Sequence, residues 1–207
     1  MPAPFDNTAV IPVLTIERVA DAVPLATALA EGGLTVLEIT LRTGDALAAI
    51  EAIARALPKV LVGAGTVLRG ADVTAARNAG AGFLVSPGLT PDLAAAAIAS
   101  GLPYLPGTAT ATEVMAAREL SFTFLKFFPA GESGGVGMLK ALAPVFAGIQ
   151  FCPTGGVTPE NARDYLALPN VPVVGGSWMA PRDLIVAKDW AAITARAKIA
   201  AGLKNPI

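Results

Sequence analysis

An isolated lysine inside an apolar run is the strongest chemical signal in the chain. Lys126 stands in Phe122-Thr-Phe-Leu-Lys-Phe-Phe-Pro129. Read as a strand, the run alternates between two faces. Phe124, Lys126 and Phe128 then share one face, and Leu125 and Phe127 the other. Desolvation among aromatic rings favours a neutral amine, the nucleophile that Schiff-base chemistry requires. The plainer alternative is a strand-end lysine whose stem packs while its ammonium reaches water.

A carboxylate and a guanidinium close another apolar run, Val36-Leu-Glu38-Ile-Thr40-Leu-Arg42. Glu38, Thr40 and Arg42 have one parity and so face one way. Glu38 is suited to moving protons to and from a substrate held at Lys126. Arg42 offers a planar fork for a substrate carboxylate, and Thr66 a hydroxyl. The structural alternative is a Glu38–Arg42 ion pair. Two glycine clusters, Gly155-Gly156 and Gly175-Gly176-Ser177, follow later apolar runs. Glycine lets backbone N–H groups approach an anion closely, so both clusters are candidate phosphate sites.

The elements that must position these residues are legible as repeating units. Strand candidates are Val10–Thr15, Val36–Thr40, Leu61–Gly63, Gly82–Val85, Tyr104–Leu105, Thr123–Phe127, Gln150–Pro153 and Val171–Val174. Ala-rich segments of helical length separate them, at a spacing of roughly 20 to 26 residues that suits βα units. Ala46–Leu57 carries apolar residues at helical spacing. Thr90-Pro91-Asp92 and Thr158-Pro159-Glu160 read as capped helix starts. Gly32-Gly33, Gly80 and Gly101 sit where helices stop.

Continuously apolar strands imply a parallel sheet covered by helices. Eight βα units predict a closed (β/α)₈ TIM barrel forming one domain over residues 1–207. An open doubly wound sheet is the runner-up, but no Gly-x-Gly-x-x-Gly follows the first strand. In a barrel, chemistry gathers at the C-terminal strand ends, which is where the polar and glycine-rich positions recur.

Composition narrows the chemistry. The chain has no histidine. A Ser-His-Asp triad, a Cys-His pair and the usual His-bearing catalytic zinc sites are therefore excluded. The net charge of −1 gives no electrostatic reason to expect nucleic acid or an anionic membrane as partner. Mean hydropathy is +0.60, but proline and glycine interrupt the long uncharged stretches, so no membrane span is expected. The start, Met-Pro-Ala-Pro-Phe-Asp, lacks the pattern of a signal peptide. Cys152 is the only cysteine. It excludes an internal disulfide, suits a cytoplasmic location, and reads as a small buried core residue.

Six segments carry a family resemblance. They are Leu37-Glu-Ile-Thr-Leu-Arg-Thr43, Val62-Gly-Ala-Gly-Thr-Val67, Val85-Ser-Pro-Gly-Leu-Thr90, Leu125-Lys-Phe-Phe-Pro-Ala130, Phe151-Cys-Pro-Thr-Gly-Gly156 and Gly175-Gly-Ser-Trp178. Together they resemble the class I 2-keto-3-deoxy-6-phosphogluconate (KDPG) aldolases, which also act as 4-hydroxy-2-oxoglutarate (KHG) aldolases. The resemblance implies a homotrimeric barrel acting on a phosphorylated keto sugar acid, with no cofactor beyond a covalent lysine imine and no metal. It implies Lys126 as the Schiff-base lysine and Glu38 as the acid–base carboxylate. Arg42 and Thr66 would hold the pyruvyl carboxylate, and Pro87 and Phe128 would shape the pocket. Gly155, Gly156, Gly176 and Ser177 would bind the distal phosphate. Thr154 matches gluconate-type members, whereas galactonate-type relatives tend to carry an apolar residue there.

Two departures from the family pattern carry expectations. Ala111 replaces the proline common before Thr-Glu, which predicts a looser loop after strand five. The first strand begins by Val10, which leaves room only for an abbreviated leading helix under the barrel.

Overall fold

The computed structural model describes Phe5 and residues 8–203. Parallel strands and helices alternate through most of the chain. The first half comprises β1 (Val10–Leu14), α1 (Val19–Glu31), β2 (Val36–Thr40), α2 (Ala46–Ala56), β3 (Leu61–Gly65), α3 (Gly70–Asn78), β4 (Leu84–Val85) and α4 (Pro91–Ser100). There follow β5 (Tyr104–Leu105), β6 (Gly107–Thr108), α5 (Ala111–Glu119), β7 (Phe124–Phe127) and α6 (Gly135–Leu142). The chain continues with β8 (Gln150–Pro153), α7 (Ala162–Leu166), β9 (Val174–Gly176), α8 (Arg182–Ala187) and α9 (Trp190–Ala201). Among the described residues, no helix is long and apolar enough to cross a membrane.

Local sequence explains the elements. In α2, Ala46, Ala49, Ile50 and Ile53 are buried at helical spacing. Helix α4 starts as expected: the Thr90 hydroxyl caps Leu93 N–H at 3.3 Å and Pro91 follows. It stops at Gly101, whose φ of 72° favours glycine. The later start is displaced, because Thr158–Asn161 form a turn and α7 begins only at Ala162. The loop before α5 is not loose. Glu113 accepts from the N–H groups of Ala109 and Thr110 at 2.7 and 2.8 Å, and the Thr110 hydroxyl caps Glu113 N–H. A capping box does here what the family's proline would do by stiffness.

The strands form parallel ladders in the orders β5-β4-β3-β2-β1-β9 and β6-β7-β8, an α/β half-barrel covered by helices. Two strand expectations need correction. The fifth strand is split at Pro106, which has no N–H for a ladder. Tyr104–Leu105 pair with β4, whereas Gly107–Thr108 pair with β7. The last strand is Val174–Gly176 rather than Val171–Val174. Val10, Ile11 and Pro12 of β1 lie opposite Val174, Gly175 and Gly176, so two residues expected in a loop belong to the ladder.

Strand parity separates two apolar layers. Val10, Leu37, Ile39, Val62, Leu125 and Phe151 pack into the cluster shared with the helices. Ile11, Val36, Phe83, Phe124 and Cys152 form a second cluster on the opposite strand faces. Phe5 plugs this inner cluster, its ring edge-on to Phe83 at 5.2 Å and tilted on Phe124 at 5.5 Å. Any leading helix before Val10 otherwise lies outside the described residues. Two positions further along β2, β7 and β8, the inner face changes from Val36, Phe124 and Cys152 to Glu38, Lys126 and Thr154.

Candidate active site

Inner-face parity aims Lys126 and Glu38 at each other. Lys126 Nζ lies 3.3 Å from Glu38 Oε1, and both residues are buried, with relative exposures of 5% and 3%. The ammonium also sits 5.1 Å from the centroid of the Phe128 ring, within reach of cation–π attraction. Phe124, expected to share this face, lies below in the inner apolar cluster.

Close packing fixes the Glu38 carboxylate. Gly65, on the neighbouring strand, has no side chain where a Cβ would run into that carboxylate. The Glu38–Arg42 pair weighed from sequence does not form. Arg42 is exposed, and its Nε donates to the Thr66 hydroxyl at 3.1 Å. Thr66 has φ 57°, an uncommon conformation for a β-branched residue, held where its hydroxyl meets the guanidinium. Thr40 turns to its own sheet, donating to the Leu14 carbonyl at 3.0 Å.

A cleft of about 230 Å³ brings most of the candidates together. Arg42, Lys126, Phe128, Thr154, Gly155, Gly156, Gly176 and Ser177 line it. Glu38 stands behind Lys126, and Thr66 behind Arg42. Pro87 does not line the cleft, and its carbonyl packs against Gly107. A hollow of about 400 Å³ lies elsewhere and one of about 340 Å³ adjoins the cleft, but the smallest of the three holds the lysine, the arginine and both glycine clusters.

The phosphate end is made of backbone. Gly155 and Gly156 have φ of 89° and 73°, a turn open to glycine. Asn161 pins it, donating from Nδ2 to the Gly156 carbonyl at 2.9 Å and accepting from Thr158 N–H at 2.8 Å. Among the described residues, the N–H groups of Gly156 and Ser177 have no protein acceptor. They remain available to an anion.

Asn161 had no sequence signal as a site residue. Val13 and Thr15 also line the cleft. Their place at the C-terminal end of β1, matching the other candidates, is the signal that could have found them.

Cys152 lies beside the pair in the ladder, opposite Lys126. Burial pushes its thiol up to about 12, against a lowering by Lys126, with Glu38 raising it further. It remains a protonated thiol at neutral pH, a core residue and not a second nucleophile. A buried lysine beside a carboxylate, an arginine–threonine pair and free N–H groups can together bind a keto acid, form an imine and hold an anion.

The comparisons with known proteins agree with this arrangement. The family described as KDPG and KHG aldolase matches residues 3–196. A 2-dehydro-3-deoxy-phosphogluconate aldolase of Zymomonas mobilis is 50% identical over 196 residues, covering 95% of this chain and 92% of that protein. The KHG/KDPG aldolase of Escherichia coli is 47% identical over 189 residues, covering 91% and 89%. A KDPG aldolase structure from Legionella pneumophila, with pyruvate captured as a covalent carbinolamine, superposes with TM-score 0.92 at 44% identity, covering 94% of each chain. Sequence, fold and site geometry agree, and the chain belongs to the KDPG and KHG aldolase family.

Proposed function

We propose that this enzyme is a class I aldolase that cleaves KDPG to pyruvate and glyceraldehyde 3-phosphate, and KHG to pyruvate and glyoxylate. The observation that carries the reading is the buried Lys126–Glu38 pair at 3.3 Å, with Lys126 on the wall of the cleft and Glu38 behind it. Glu38 accepts a proton from Lys126, and the neutral amine attacks the C2 ketone. Glu38 protonates the leaving hydroxyl as the carbinolamine dehydrates. The resulting iminium is the electron sink. Glu38 then takes the C4-hydroxyl proton, the C3–C4 bond breaks, and its electron pair becomes the enamine. The aldehyde leaves, C3 is protonated, and water hydrolyses the imine. Arg42 with Thr66 holds the pyruvyl carboxylate, and Phe128 confines the pyruvyl group, whereas Pro87, off the cleft wall, shapes the site only through its packing on Gly107. Gly155, Gly156, Gly176 and Ser177 hold the phosphate. The lysine imine is the covalent device, and the scheme calls on no metal or separate cofactor.

The wider reading follows from particular contacts. The bridge Thr154↔Gly175 links β8 to β9, and only Pro106 separates β5 from β6. We read the ladders as one closed (β/α)₈ barrel, a single domain over residues 1–207. Exposed Leu68, Ile98, Met115 and Leu120 fall in consecutive units between β3 and β7. They are candidates for the subunit contacts of the homotrimer that the family resemblance implies. The lone cysteine supports a cytoplasmic location. The weak net charge gives no electrostatic reason to expect nucleic acid or an anionic membrane as partner, and the cleft's arginine and free N–H groups support a small anionic keto acid.

Thr154 is buried on the cleft wall, and its match to gluconate-type members favours KDPG over the galactonate epimer. Side-by-side kcat/KM values for the two epimers test this. Preference for the galactonate epimer would overturn the substrate assignment and leave the imine chemistry standing.

A further inference from the structure

The hollow of about 340 Å³ between β1, α1 and α8 shares Val13, Thr15 and Ser177 with the catalytic cleft. It therefore opens beside the end of the cleft where Ser177 stands. Ile16, Leu25, Trp178 and Ile185 give it apolar walls. Its four charged residues neutralise one another. Arg182 binds Glu17 through two contacts of 2.8 and 3.0 Å, and Arg18 binds Asp21 at 2.8 Å. No lone charge is left to select an ion, and the volume suits a small-molecule site, at about 300 Å³ or more. The occupant these walls fit is an uncharged apolar tail, and the shared residues place it next to a molecule reacting at Lys126.

We propose that this hollow receives the alkyl chain of an aldehyde, so that the enzyme also adds pyruvate to medium-chain alkanals. The proposal rests on the aldolase reading above. The pyruvate enamine on Lys126 supplies the electron pair from its C3 to the aldehyde carbon, forming the new carbon–carbon bond. The carbonyl π pair moves to oxygen, which takes a proton from Glu38. Water hydrolyses the iminium, releasing a 4-hydroxy-2-oxo acid with an apolar tail and restoring the lysine. Glyceraldehyde 3-phosphate stops at the glycine loops, whereas a longer alkanal runs past Ser177 into the hollow.

The test is the rate of addition of pyruvate to propanal, pentanal, heptanal and nonanal. Once the chain passes the phosphate position, kcat/KM should rise about fourfold per methylene, the gain expected from burying it. Ile185→Glu places a carboxylate in the hollow. Val186→Glu does so from a rim position that is 58% exposed and tolerant of charge. Both should abolish the rise and leave KDPG cleavage unchanged. A flat series in the wild type, or a rise that survives both variants, overturns the proposal while KDPG cleavage stands. A wild type that forms no imine with pyruvate overturns the aldolase reading and this proposal together.

Discussion

Lys126 and Glu38, 88 positions apart in sequence, meet at 3.3 Å with both side chains almost fully buried. Each ion is the other's main compensation for desolvation. Lys126→Met leaves the Glu38 carboxylate buried without its partner. It should abolish cleavage and destabilise the fold by about 3–5 kcal/mol. Adding Glu38→Gln removes the stranded charge and should recover most of that stability without recovering activity. Urea denaturation of both single variants and the double variant measures the coupling. Additive losses would mean that the two groups do not interact.

The Glu38 carboxylate is aimed by a missing atom. A Cβ at Gly65 would occupy its position, so Gly65→Ala should push the carboxylate off the lysine. We expect kcat to fall by about 10²-fold, as for loss of a positioned acid–base group. KM should change little, and overpacking should cost about 1–3 kcal/mol of stability. A change confined to KM would indicate that Glu38 positions substrate without transferring protons.

The α5 cap should make part of the stability acid-sensitive. Partial burial raises the Glu113 carboxyl, but hydrogen bonds from Ala109 and Thr110 outweigh it and hold the group below its ordinary 4.5. A depressed carboxyl contributes stability that is fully present above the ordinary value and is lost as pH falls through the folded one. The residue is exposed, so the contribution is at most about 1 kcal/mol. Glu113→Gln should be less stable than wild type at neutral pH, and the difference should vanish in strong acid. Parallel stability curves across that range would contradict this role for the carboxylate.

Most of the fold was legible because buried parallel strands announce themselves as apolar runs, as in Val36–Thr40 and Gln150–Pro153. The last strand was misplaced for the same reason. Val171 and Val173 are buried, but the β1 ladder continues into Gly175 and Gly176, residues with poor strand propensity that burial patterns do not flag. Lys126 and Glu38 stood out by chemical type. Their shared work on one substrate was legible, but their direct ion pair was not, because sequence offers Arg42 as the nearer partner for Glu38. Gly65 and Asn161 went unnoticed because their roles are a space left open and a loop pinned, which only packing reveals.

Borohydride reduction in the presence of pyruvate, followed by peptide mass mapping, tests the central claim most directly. Hydride traps an imine as a stable secondary amine on the lysine that formed it. The predicted result is a pyruvyl adduct on Lys126, absent from Lys126→Met and from samples without pyruvate. Folded wild-type protein that carries no adduct, or carries it on another lysine, would contradict the mechanism.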